Sequence, residues 1–61
     1  MLRQSDVVRH AQQLLDAAGP RAEAIAAQRA LEKGREGAAE DARDWTRIRA
    51  VLRQQNGPRQ T

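Results

Sequence analysis

Half of the apolar residues in this chain are alanine, and the other half includes a single aromatic side chain, Trp45. That supply governs what the chain can build. Alanine is the best helix former and contributes little to a pleated surface. Closely approaching helices, with Trp45 as the largest filler, are the architecture such residues permit. A chain of roughly 60 residues buries only about 60% of the surface its unfolded form exposes. The domain is therefore expected to be marginally stable, with a partner or a second copy as a reasonable supplement.

Glycine and proline punctuation divides the chain into three helical segments. Ser5 suits the N-cap of the first, with Asp6 favourably placed in its first turn. Val7, Val8, Ala11, Leu14, Leu15 and Ala18 then recur at the spacing of one helical face. Gly19-Pro20 ends this helix and starts the next. The second helix is predicted over about 20–33, with Gly34 as its stop. It carries two weak apolar stripes, Ala22, Ala26 and Ala30 beside Ile25, and Ala24, Ala27 and Leu31, as in a middle helix touched on both sides. The third is predicted over about 38–55, with Ala38, Ala42, Trp45, Ile48, Leu52 and marginally Val51 sharing a face. Asn56-Gly57-Pro58 is its stop signal.

Short connections favour antiparallel neighbours. The expected fold is all-α, a small three-helix bundle (up-down-up) with helices about 5–18, 20–33 and 38–55. A helical hairpin with a splayed third helix is the alternative. Residues 1–57 form one domain in this reading, and 58–61 a frayed tail.

The net charge of +3 is unevenly placed. Residues 1–45 hold seven Lys/Arg and eight Asp/Glu, a balance of −1, whereas Arg47, Arg49, Arg53 and Arg59 face no acid in residues 46–61. The third helix has its acids early (Glu40, Asp41, Asp44) and its arginines late, an order that complements the helix dipole and allows the pairs Glu40–Arg43 and Asp44–Arg47. The same order argues against a helix-turn-helix, in which the start of the second helix meets the bases. Arg47, Arg49, Arg53 and Arg59 on phosphates remain the nucleic-acid alternative, salt-dependent and poorly sequence-selective.

Other chemistry finds little support. Three carboxylates on one helix surface fall short of the oxygen ligands a hard cation needs, so no metal or cofactor is expected. His10, the only histidine, sits four residues after Asp6 and lacks a nucleophile or second acid–base group in an obvious relation to it. No small-molecule substrate is evident and an enzyme is not expected. The chain lacks cysteine, and no run approaches the roughly 20 apolar residues of a membrane span. Its start does not resemble a signal peptide, so a cytoplasmic location is the default expectation.

Trp45 is expected against Leu14, Leu15 and the alanine stripe of the second helix, or at an interface, where tryptophan is enriched among hot spots. The run Ala18-Gly19, then Ala22, Ala26, Ala30 and Leu31, a glycine turn at Gly34 and Gly37, and Trp45 followed by Ile48 and Leu52 resembles short alphaproteobacterial helical proteins of unknown function. Those proteins have a Gly-Asp pair before the last helix, where this chain has Gly37-Ala38 and reaches Asp41 only later. The resemblance spans about residues 15–52 and implies a small helical fold with no established activity. The expected role is a helical protein-interaction module, self-associating or serving as subunit or regulator of a larger complex. Its contacts are expected from Ile25, Arg29, Trp45, Arg49 and Leu52.

Overall fold

The apolar periodicities become helices in the computed structural model, which describes residues 2–56. They are α1 (Gln4–Ala18), a 3-10 turn (Gly19–Arg21), α2 (Ala22–Arg35) and α3 (Ala39–Asn56), with no strand among the described residues. The chain is all-α. The expected stop at Gly57-Pro58 and the tail lie outside the described residues.

Helical residues form two unbroken stretches, 4–35 and 39–56, where three separated helices were expected. Gly19-Pro20 bends the first stretch without interrupting it. Gly19 adopts φ 60° and ψ −131°, and its N–H still bonds the Leu15 carbonyl. Only glycine takes that backbone geometry readily, and Pro20 opens the 3-10 turn that leads into α2.

Two boundaries differ from expectation. α1 starts at Gln4, with Arg3 as an extended N-cap that makes no side-chain capping bond. Ser5 already lies inside the helix, because the segment before it is tethered by α3, as shown below. α2 passes through Gly34 and stops at Gly37, whose φ is 82°. There the Ala38 N–H donates to the Lys33 carbonyl at 2.9 Å, and the Gly37 N–H to the Gly34 carbonyl at 3.1 Å. This is the Schellman pair of bonds around a left-handed residue, and it leaves Gly34 as an ordinary helical position.

The buried core consists of three i,i+4 pairs, one from each helix: Val7 and Ala11, Ala22 and Ala26, Ile48 and Leu52. Spacing of four residues places each pair on one helix face. Because the α2 pair is alanine, its backbone can lie close against α3, and these two helices form the most extensive contact, while α1 and α2 touch least. Leu2, Leu14, Leu15, Ala18, Trp45 and Val51 pack around the core while retaining some exposure. Side-chain contacts give the directions. Gln4 meets Arg47 and Gln12 meets Gln55, so α1 runs parallel to α3. Glu23 meets Arg49 and Arg53, and Arg29 meets Trp45, so α2 runs antiparallel to it.

Candidate interaction surface

Trp45 projects from α3 and is half-buried against the core. Its ring stands edge-on to His10 of α1, with centroids 6.4 Å apart and planes at 81°. From α2, the Arg29 guanidinium carbon lies 5.9 Å from the ring centroid, within cation–π range. The indole thus ties together the two helices that touch each other least. Neither neighbour follows from the one-dimensional pattern, since each comes from a different helix.

On another side of α3, Asp44 is only 7% exposed. The Leu2 N–H donates to both of its carboxylate oxygens at 3.3 Å. Arg47 closes the arrangement: its Nη1 donates to the Leu2 carbonyl at 2.8 Å and lies 3.5 Å from Asp44 Oδ1, while its Nη2 donates to Gln4 Oε1 at 3.1 Å. The expected Asp44–Arg47 pair is present, but its main effect is to hold the segment ahead of α1. Arg47 is therefore spent inside the molecule, which counts against its role as a phosphate contact.

Arg49 and Arg53 point to a different face and share one acid. Each Nε lies 3.8 Å from Glu23 Oε2, beyond hydrogen-bond reach, and the buried Arg49 Nε has no hydrogen-bond partner. Arg59 lies outside the described residues. Of the residues expected at a protein interface, Ile25 is half-buried and Arg29 is exposed, both near one shallow depression with Gln28 and Glu32. Leu52 requires correction. It is completely buried, so it offers a partner no surface in this conformation. Core and interface positions share one face of a lone helix, and only packing separates them.

Of the two large apolar residues exposed among the described residues, Val8 and Leu31, Leu31 is the more exposed, at 60% against 39%. With Ala24 and Ala27 it forms the second stripe of α2, and spacing alone had grouped these three residues. A shallow surface continues from Pro20 of the 3-10 turn and Glu23, Ala24 and Ala27 of α2 to Arg49, then along α3 past Thr46, Ala50 and Arg53. No α1 residue lines it.

No family model, curated protein or solved structure matches the chain. Among the described residues, no group of three or more potential metal ligands is found, and no helix is long and apolar enough to cross a membrane.

Proposed function

We propose that the chain is a small non-enzymatic helical protein-interaction module, a subunit or regulator of a larger assembly or a self-associating unit. The reading takes α1, α2 and α3 as the arms of an up-down-up three-helix bundle, consistent with the parallel α1–α3 and antiparallel α2–α3 contacts. One observation carries it: Leu31 is 60% exposed, on the α2 stripe that it shares with Ala24 and Ala27. A single exposed leucine is commonplace, but helical spacing puts this one on the same face of α2 as Ala24 and Ala27, which line the shallow surface shared with α3. The core reinforces the argument, since half of its six fully buried residues are alanine.

The test is capture from a native lysate on immobilised chain, comparing wild type with Leu31→Glu. Proteins retained by the first and lost by the second support the reading. Identical retained sets refute the role of this face. Light scattering decides between the two versions, because self-association requires a species larger than the monomer and a melting temperature that rises with concentration. A nucleic-acid accessory role is the second reading, favoured by the side-by-side placement of Arg49 and Arg53 on α3. Loss of DNA and RNA binding at low salt on changing Arg53 and Arg59 to glutamine would support it.

A further inference from the structure

We infer that the outer α2–α3 face docks an acidic amphipathic helix of another protein. The inference rests on the interaction-module reading and specifies the chemistry of the partner. Its first support is charge. Helical spacing places Arg35 one turn beyond Leu31 on α2, and Arg43 one turn before Thr46 on α3. Together with Arg49 and Arg53, the face carries four arginines. The acid among the residues lining the shallow surface is Glu23, which already lies 3.8 Å from both Arg49 and Arg53, and Glu40 stands one turn before Arg43 at the margin. Two of the four, Arg49 and Arg53, come from the C-terminal segment that holds the positive excess. A carboxylate-bearing partner complements the face.

The second support is shape and apolarity. Ala24, Ala27 and Ala50 make a low floor, which permits close approach by a helix. Leu31 stands at one end of it as an apolar contact. Glu23 and Leu31 are eight residues apart on α2, about 12 Å at 1.5 Å per residue. The matching helix carries its acids about two turns from a large apolar side chain on the same face.

The same facts disfavour the other occupants. Pairing this face with itself about a two-fold axis brings arginines against arginines, an unfavourable juxtaposition. Nucleic acid has no use for Leu31 or the alanine floor. The one aromatic ring that might stack on a base is engaged on the α1 side, with His10 and Arg29.

The probe is a synthetic helical peptide of about 18 residues, with two glutamates one turn apart and a leucine two turns beyond, followed by amide NMR of the full chain. Shifts are expected at Ala24, Ala27, Leu31 and Ala50, with α1 largely unaffected. Replacing the peptide's glutamates by glutamine, or Arg49 and Arg53 of the chain by glutamine, is expected to weaken binding about fivefold, the scale of two partly exposed ion pairs. An Arg35→Gln/Arg43→Gln variant is expected to weaken binding in the same direction. It provides a second test should the first pair prove unstable in a thermal melt. No shifts at millimolar peptide, or equal binding of the glutamine peptide, overturns the inference. So does a DNA duplex shifting the same residues at lower concentration, or shifts that grow with the concentration of the chain alone. If the peptide fails while Leu31→Glu still changes the captured proteins, the interaction reading stands and only the acidic chemistry is lost.

Discussion

Alanine at position 34 and alanine at position 37 are expected to move stability in opposite directions, although the two variants have identical composition. Gly37 holds φ at 82° to complete the bonds that end α2. A Cβ there meets nothing within 4 Å, so the penalty is conformational and not a collision. Placing an L-residue in the left-handed region costs about 1–2 kcal/mol, partly offset because alanine lowers the entropy of the unfolded chain. The net expectation for Gly37→Ala is a loss of about 1 kcal/mol. Gly34 sits inside α2, without positive φ, and a Cβ there also meets open space. Glycine at an exposed helical position is worth roughly 0.5–1 kcal/mol less than alanine, so Gly34→Ala is expected to stabilise by about that much. For a domain of this size each 1 kcal/mol moves the melting temperature by about 4–8 °C. The two variants should therefore melt on opposite sides of wild type by circular dichroism, with the same ordering in urea. If both are stabilised, or if Gly34→Ala is the less stable, α2 ends at Gly34 and the geometry described for Gly37 is wrong.

Five further substitutions test the packing. Leu52→Ala is expected to cost about 2–5 kcal/mol, enough to unfold much of so small a domain, whereas Leu31→Ala should stay within about 0.5 kcal/mol of wild type; comparable urea midpoints for the two contradict their assigned burial. Asp44→Ala removes the acceptor of the Leu2 N–H and the partner of Arg47, for a loss of about 1–3 kcal/mol with faster amide exchange ahead of α1. An alanine variant as stable as wild type shows that the tether contributes nothing. His10→Ala and Arg29→Ala should each shift Trp45 emission to longer wavelength, with Arg29→Ala costing about 0.5–1 kcal/mol; unchanged emission in both means the ring is not held between them.

The parts of this fold that were legible in the sequence are those governed by local periodicity. Val7 and Ala11 on α1, and Ile48 and Leu52 on α3, stood on the expected faces and are buried. Ala22 and Ala26 were grouped correctly and form the α2 contribution. The choice between Gly34 and Gly37 was not legible, because both are plausible stops and only the backbone path distinguishes them. Asp44 illustrates a second limit. Its place in the first half of α3 predicted a favourable dipole interaction and a local pair with Arg47. Its contact with Leu2 depends on how α1 lies along α3, which no local pattern encodes. The candidate face was half visible: the Ala24, Ala27 and Leu31 stripe could be read, but its juxtaposition with Arg49 and Arg53 required the antiparallel register of α2 and α3.

The alanine excess accounts for both the placement of Trp45 and the character of the outer face. With Ala22 and Ala26 as its buried pair, α2 has no large side chain holding it away from α3. Close approach brings Glu23 to the same 3.8 Å from Arg49 and Arg53. It also leaves Ala24 and Ala27 as a shallow floor and Leu31, half a helical turn from the core pair, directed outward. An indole does not fit into such a tight α2–α3 seam. Trp45 instead takes the space between α1 and α2, the pair of helices with the least mutual contact, and meets His10 and Arg29 there. The largest side chain is thus occupied in holding three helices together. In the interaction reading proposed above, recognition falls to the outer face, whose features are a leucine, small side chains and arginines, and that division of labour favours a slender acidic helix as the partner.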